Sequence, residues 1–188
     1  MEALSNSTIS SAERSRASAE LEASRDEFLQ ATKGLSAAQW RFQPSLERWS
    51  IADCCEHVAV VEARALKRIA AAVQQAPADP SKRAQVKLAD DTIVLSALSR
   101  TNRLQAPEPL LPSRRETPDN FVQELLQQRS NTLAFVGSAQ DNLRAHFLEH
   151  PLPGVLDTYQ WVLLISGHMR RHTAQIEEIK SDPRFPKE

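Results

Sequence analysis

Residues 157–179, DTYQWVLLISGHMRRHTAQIEEI, repeat apolar side chains at helical spacing. The apolar set is Val162, Ile165, Met169, Ile176 and Ile179. This pattern predicts an amphipathic helix with one face turned toward a core. His168 and His172 lie on or beside that face, and side chains four residues apart on a helix are neighbours, with Cβ atoms about 5 to 6 Å apart. Both imidazoles can therefore reach one metal ion between them.

The spacing of these two histidines is a weak indication when taken alone. The chain has five histidines, and His146 and His150 repeat the same spacing, so ordinary helix histidines, one half-buried and one solvated, remain an open alternative. Gln175 lies on the same side of the helix, where it can hydrogen-bond a ligand ring or a bound water. Gly167 costs about 1 kcal/mol in a helix interior, which suggests that another element or a ligand comes close there.

Length and composition predict a single helical domain that spans residues 1–188. A chain of 188 residues is long enough for one substantial core. The chain has only four glycines and is rich in alanine, leucine, glutamate, glutamine and arginine, which favours helices over tight β-turns. Because the formal net charge is −1, neither nucleic acid nor an anionic membrane is expected as a partner.

The cellular location expected from the sequence is the cytoplasm. Residues 1–16 lack the apolar core of a signal peptide, and no later apolar run approaches the length of a membrane span. The adjacent Cys54 and Cys55 cannot form an ordinary disulfide with each other. A reducing compartment fits this pair.

Start and stop signals divide the chain into four long helices. Each helix begins at a capping residue or a proline, and each ends near a glycine, a proline or an irregular stretch. The predicted helices are 8–33, ending before Gly34; 51–73, after the cap Ser50; one from Thr117 or Pro118 to a point between Arg144 and His150; and one from a cap at Asp157 or Thr158 to Pro183. A short turn capped by Ser36 follows the first helix, and HPLPGVL before the fourth helix is expected to be a loop.

The segment 77–118 between the second and third helices differs in composition from the rest of the chain. It holds six of the eleven prolines and lacks a sustained apolar period. We therefore expect a long crossover with a helical turn or two near 82–89 or 92–100, a disordered excursion being the alternative. The fold class predicted is all-α, a four-helix bundle whose long crossover places the helices it joins in the same direction more readily than a short loop does.

His57 is a second candidate for a site residue. It lies three residues after Cys54 and four before Val61, so it borders the apolar stripe of the second helix. Taken alone, a histidine there is more commonly a hydrogen-bonded residue at the core edge than a ligand. Cys54, one turn away, could approach a metal, but a small buried hydrophobe is its more common role.

Several other residues near these histidines are assigned ordinary roles. Glu56 adjoins His57 but points elsewhere, so we expect it to be solvated. Arg170 and Arg171 are interpreted first as a surface or subunit-contact pair and second as a clamp for a substrate carboxylate. Trp49 and Trp161 are interpreted as core or staple residues. Because His150 precedes Pro151, its backbone is expected to leave the helical conformation. The rings of His146 and His150 are therefore not expected to share a helical face, and this pair ranks below the pair on the fourth helix as ligands.

The motifs together resemble those of one known family. The quoted residues are WSIADCCEHVAVVE at 49–62 and HPLPGVLDTYQWVLLISGHMRRHTAQI at 150–176. With the helical layout, they resemble the DinB-like superfamily of DinB/YfiT-like metalloenzymes. The pattern W-S-x(6)-H together with H-x-x-x-H-x-x-Q-I carries most of the specificity, and the resemblance covers nearly the whole chain.

The resemblance implies that His57, His168 and His172 form a three-histidine site for a divalent metal. Three imidazoles suit zinc, nickel or iron(II), and three protein ligands leave coordination positions open for water or substrate. Relatives in this superfamily include bacillithiol transferases and a mycothiol-dependent maleylpyruvate isomerase, so a low-molecular-weight thiol is an expected cosubstrate. Other members are named only as metal-dependent hydrolases. No residue of this sequence selects a particular thiol or acceptor.

Two hypotheses of different classes follow. The first is a metal-dependent enzyme that activates a thiol or water for transfer to a small electrophilic substrate. The second is a non-catalytic binding or assembly module with a structural metal or none, in which the fourth helix forms the interface of a homodimer. Metal content and chelator sensitivity separate the two, since a metal that binds only the folded state raises its stability.

Overall fold

The computed structural model of the chain describes residues 8–98, 106–113 and 118–187. In chain order the helices and strands are α1 (Ser11–Thr32), α2 (Ala37–Arg41), α3 (Ile51–Val73), α4 (Asp90–Leu98), α5 (Pro118–Ser138), β1 (Phe147–His150), β2 (Gly154–Asp157) and α6 (Thr158–Lys180). Short 3-10 turns occupy Pro80–Gln85, Glu108–Leu110 and Leu143–Ala145. Within these ranges, no helix combines the length and apolar character needed to cross a membrane.

The four long helices α1, α3, α5 and α6 form a bundle in which two helices run each way. One apolar cluster joins the first half of α3 to the first half of α5 and to the second halves of α1 and α6. The other cluster joins the opposite halves of the same four helices. Hence α3 and α5 are parallel, and both run antiparallel to α1 and α6. The predicted four-helix bundle, with a long crossover that joins helices of the same direction, is confirmed.

Helices α3 and α6, which carry the candidate site residues, each begin with a capping box. At the start of α3, the Ser50 hydroxyl accepts a hydrogen bond from the Asp53 backbone N–H at 3.1 Å, and the Asp53 carboxylate accepts one from the Ser50 N–H at 2.9 Å. Asp157 and Gln160 form the equivalent pair at the start of α6. These side chains satisfy backbone N–H groups that lack a helical partner. The predicted starts of both helices are correct, whereas the predicted cap Thr117 lies outside the described residues.

The crossover between α3 and α5 contains the helical turns expected from its sequence. One is the 3-10 turn Pro80–Gln85 and the other is α4, which packs against α6; residue 100, the expected end of the second turn, is outside the described ranges. Arg144 fastens the start of α4, because its guanidinium donates to Asp90, to Glu13 of α1 and to Asp157 at the start of α6. Arg144 therefore links the crossover to the first and the last of the long helices.

The third long helix ends earlier than the sequence indicates. We predicted an end between Arg144 and His150, but α5 ends at Ser138. The carbonyls of Val136 and Ala139 accept hydrogen bonds from the guanidinium of Arg14 on α1. Since Arg14 satisfies these carbonyls, the helix gains nothing there from a further turn.

A small antiparallel hairpin replaces the expected end of that helix and the loop before the fourth. Strand β1 pairs with β2 in a register that places Phe147 opposite Asp157 and His150 opposite Gly154. Gly154 has a φ of 75°, a conformation that glycine adopts without strain. Over the part of the chain that the structure describes, this hairpin is the only β-sheet. The sequence did not predict it, because each strand is only four residues long.

We expect Gly167→Ala to destabilise the chain by about 1–3 kcal/mol, despite the higher helix propensity of alanine. An added Cβ at Gly167 would lie 2.8 Å from Ala97 Cβ and 3.0 Å from the Val94 carbonyl oxygen of α4. This close approach confirms the interpretation of Gly167 from the sequence. Urea unfolding monitored by circular dichroism measures the difference.

Gly137→Ala is the matched control for this substitution. Gly137 also lies in a long helix, α5, but an added Cβ there would meet nothing within 4 Å. The same change should therefore stabilise the chain by up to about 1 kcal/mol. If both substitutions change the free energy of unfolding equally, α4 does not make a close steric contact with α6 at Gly167.

Candidate metal centre

Three histidine side chains from two antiparallel helices meet at one place in the bundle. His57 comes from α3, and His168 and His172 come from α6. One ring nitrogen from each lies within 4.8 Å of the other two. The ring centroids are 4.6 Å apart for His168 and His172, 4.8 Å for His57 and His172, and 5.2 Å for His57 and His168. The structure thus brings together all three residues named from the sequence.

The separation of the two α6 nitrogens suits a bound ion. Nε2 of His168 and Nε2 of His172 are 3.2 Å apart. Two imidazole nitrogens held tetrahedrally at zinc-to-nitrogen distances of about 2.0–2.1 Å lie about 3.3 Å apart. Among the described residues, no other cysteine, histidine or carboxylate group forms such a cluster of three. The donor set and its spacing fit a divalent ion such as zinc.

Hydrogen bonds at Nδ1 fix the orientation of two of the three rings. The Nδ1–H of His57 donates to the backbone carbonyl of Leu110 at 2.7 Å. The Nδ1–H of His172 donates to Oε1 of Gln175 at 3.1 Å, so Gln175 makes the hydrogen bond to a histidine ring that its position on the helix allowed. With the proton on Nδ1, Nε2 of each neutral ring keeps a lone pair, and outer hydrogen bonds of this kind orient metal-binding histidines.

Trp49 forms an aromatic wall on one side of the cluster. Its ring centroid is 4.7 Å from that of His57 and 5.9 Å from that of His172, and its ring plane is nearly parallel to that of His172. Trp49 immediately precedes the N-cap of α3, so the capping box places it. The sequence indicated only a core or staple residue here, and the contact with two histidines was missed.

The electrostatic surroundings keep the rings of His57 and His168 neutral. Part of the His168 side chain is exposed, yet the loss of water around the ring, with repulsion from His57 and Arg171, lowers the pKa of His168 to about 3. Burial also lowers the pKa of His57, an effect that the hydrogen bond to Leu110 partly offsets. At neutral pH both rings therefore carry a lone pair rather than a second proton, which is the form that binds metals.

The other residues weighed from the sequence lie outside this cluster. Cys54 is buried and is not one of the clustered ligands. His146 is buried beside β1, while His150 is on β1, with its ring 5.2 Å from that of Trp161. Their predicted failure to share a helical face is confirmed, because neither lies in a helix.

Glu56 differs from its expected role, whereas Arg170 makes ion pairs within the chain that the sequence did not indicate. Glu56 was predicted to be solvated, but it is buried, and its carboxylate accepts hydrogen bonds from the Ser113 hydroxyl at 2.6 Å and the Ser113 backbone N–H at 3.1 Å. The crossover covers the face of α3 that we expected to meet water. Arg170 pairs with Glu20 and Glu27 of α1 within the same chain.

A buried ion pair lies next to the α6 histidines. The guanidinium of Arg129 donates two hydrogen bonds of 2.9 Å to the carboxylate of Glu62, and it also contacts the sulfur of Met169 at 3.3 Å. Thr132 donates to the same carboxylate at 2.7 Å. The sequence carries a signal for this pair, because both charged residues occupy positions on the apolar stripes of α3 and α5.

Comparison with known proteins identifies the family. A sequence model of the DinB superfamily matches residues 20–176, which include all three histidines. The chain belongs to the DinB superfamily. Among relatives of this DinB-superfamily chain is YuaE of Bacillus subtilis (strain 168), an uncharacterized protein, which is 29% identical over 149 residues that span 79% of this chain and 87% of YuaE.

A solved structure with a similar fold is that of YfiT from Bacillus subtilis. YfiT is described as a probable metal-dependent hydrolase with an unusual four-helix bundle topology. The match has a TM-score of 0.62 and 16% sequence identity, and it covers 92% of this DinB-superfamily chain and 89% of the YfiT chain. At this identity the likeness shows the fold.

Proposed function

We propose that the protein is a metal-dependent enzyme in which His57, His168 and His172 hold a divalent ion, zinc, nickel or iron(II). The observation that carries the proposal is the convergence of three ring nitrogens within 4.8 Å of one another. Three protein ligands leave coordination positions free, as in catalytic rather than structural zinc sites. A divalent ion bound there would supply Lewis acidity, which lowers the pKa of a thiol or of water toward neutrality.

The chain itself prepares the site for such chemistry. Leu110 and Gln175 accept the Nδ1 protons of His57 and His172, so the rings present Nε2 to the ion. Trp49 shields one side of the cluster from water. A drier site strengthens the interactions of a bound charge, because the local dielectric constant is lower than that of water.

The nucleophile in this proposal comes from outside the chain. Both cysteines are buried and neither forms a disulfide, and burial, with the negative charges of Glu124 and Glu56, raises the pKa of Cys55. A buried, protonated thiol is a poor nucleophile. The acceptor is a small electrophile, and the nucleophile is a low-molecular-weight thiol or water. Resemblance to thiol-dependent relatives supports the first, and the description of YfiT supports the second.

We expect the purified, zinc-loaded protein to consume a low-molecular-weight thiol in the presence of an electrophile such as chlorodinitrobenzene. The zinc-stripped protein should lose this activity, because in this proposal the bound ion is the group that activates the thiol. Loss of free thiol, followed with a chromogenic thiol reagent, is the measurement. The stripped protein reloaded with zinc is the control. If the reaction rate does not depend on any thiol tested, water is the nucleophile and the proposed enzyme is a hydrolase.

The binding or assembly module remains the competing function. The module would carry a structural metal or none; absence of metal from the purified protein, together with a melting temperature that a chelator leaves unchanged, would favour it over the enzyme. A homodimer and a cytoplasmic location are predictions that accompany either function, and neither determines the chemistry of the histidines.

A further inference from the structure

The crossover passes over the metal centre and is fastened there by two consecutive residues of α3. Residues 106–113, APEPLLPS, form a segment that we call the strap. At one point of the strap the Leu110 carbonyl accepts the Nδ1–H of His57 at 2.7 Å. Three residues later, Ser113 donates both its hydroxyl and its backbone N–H to the carboxylate of Glu56. Adjacent residues of one helix thus hold the strap at two places.

The strap has little backbone freedom around its first attachment, Leu110, and only Leu111 and Pro112 separate that attachment from Ser113. Its 3-10 turn is closed by hydrogen bonds from the Leu110 N–H to the Pro107 carbonyl at 2.8 Å and from the Leu111 N–H to the Glu108 carbonyl at 3.1 Å. Prolines at 107, 109 and 112 each restrict φ to about −65°. A displacement at Ser113 is therefore transmitted to the carbonyl of Leu110.

We propose that Glu56 is a positioning residue, which orients His57 for metal binding by holding the strap at Ser113. The group that touches His57 is a backbone carbonyl, so no side chain of residue 110 determines that hydrogen bond. Its location depends on where the strap is anchored, and the described anchor is the Glu56 carboxylate. This inference rests on the proposed function, since it assigns His57 as a metal ligand, and it adds a residue that does not contact the ion.

The test compares Glu56→Gln and Ser113→Ala with the unaltered protein, with two measurements for each. In metal-free protein, NMR detects the Nδ1–H of His57, and we expect its exchange with water to accelerate by about fivefold when the strap loosens. In competition with a chromophoric chelator, we expect zinc affinity to fall by roughly three- to tenfold, less than the 10–100-fold typical of a residue that bonds a ligand directly. Ser113→Ala alters the exposed end of the contact, so it tests the idea without disturbing the core.

Two further variants distinguish positioning from general loosening of the crossover. Ser113→Thr keeps the hydroxyl, so the exchange rate of the His57 Nδ1–H and the zinc affinity should both stay close to those of the unaltered protein. Asp79→Asn makes the same carboxylate-to-amide change where an aspartate of the crossover accepts from the Ser81 N–H at 2.8 Å, and it should alter neither. Unchanged exchange at His57 in Glu56→Gln and Ser113→Ala, or an equal effect from Asp79→Asn, would overturn the inference. If neither the variants nor the unaltered protein binds zinc, the proposed function fails. The exchange rate of the His57 Nδ1–H, measured by NMR without metal, still decides whether Glu56 positions His57.

Discussion

Glu62→Ala is expected to destabilise the folded chain by about 3–5 kcal/mol, because it leaves the guanidinium of Arg129 buried without its counter-charge. The side chain of Arg129 is 0% exposed and that of Glu62 is 2% exposed, so water cannot replace the lost carboxylate. For a chain of this size the melting temperature should fall by on the order of 10 °C. Thermal and urea unfolding, monitored by circular dichroism, measure both quantities.

The double variant Glu62→Met with Arg129→Met separates the charge effect from packing. Replacing both members of a buried ion pair by apolar side chains of similar volume is often neutral or stabilising, so this variant should recover most of the lost stability. Glu177→Ala is the control at the surface, where the carboxylate pairs with Lys180 at 2.8 Å while about half exposed; there the cost should stay below about 1 kcal/mol. If Glu62→Ala costs no more than Glu177→Ala, the buried pair does not hold the four helices together.

The bundle could be predicted from the sequence because its signals are local and repeated. The caps Ser50 and Asp157 and the apolar stripe ending at Ile179 identify helix starts and inward faces without knowledge of any partner. The end of α5 could not be predicted in this way, since it depends on Arg14, a residue more than a hundred positions away. The hairpin was missed for a related reason: four-residue strands are too short to show their period.

The three histidines of the candidate site could be named from the sequence, whereas the residues that surround them could not. Helical spacing alone pairs His168 with His172, but the position of His57 opposite them depends on how α3 packs against α6, which the family resemblance supplied. Glu56 was misjudged because the face of α3 that carries it is covered by the strap, whose path follows no apolar period. Arg129 and Glu62 could have been noticed, since each interrupts an apolar stripe with a charge, and such an interruption on two packed helices predicts a buried pair.

The buried ion pair of Glu62 and Arg129 connects the same two helices that carry the three histidines. Arg129 contacts the sulfur of Met169, the residue directly after His168, and bonds through Ser24 to α1. Glu62 lies five positions beyond His57 on α3. The pair therefore fixes α3 and α6 relative to each other beside the point where their histidines meet, so that the three ring nitrogens need little rearrangement to bind an ion.

His168→Ala is expected to abolish stoichiometric zinc binding while the chain stays folded. The remaining two histidines supply too few ligands for a stable site, whereas alanine is a good helix former and part of the His168 side chain is exposed. In the unaltered protein, zinc at about a hundred times its dissociation constant should add about 2.7 kcal/mol to stability, which raises the melting temperature by roughly 5–10 °C. Elemental analysis and thermal unfolding with and without zinc should both show the loss.

His150→Ala is the matched control for this experiment. His150 carries the same side chain and lies on β1, but it is not among the three clustered ligands, so its removal should leave zinc content and the zinc-induced rise in melting temperature intact. His57→Ala should repeat the loss seen with His168→Ala, because the proposed site draws on both α3 and α6. If His168→Ala keeps the zinc content and the melting-temperature rise of the unaltered protein, the ion is bound elsewhere, and the three rings form only an aromatic cluster.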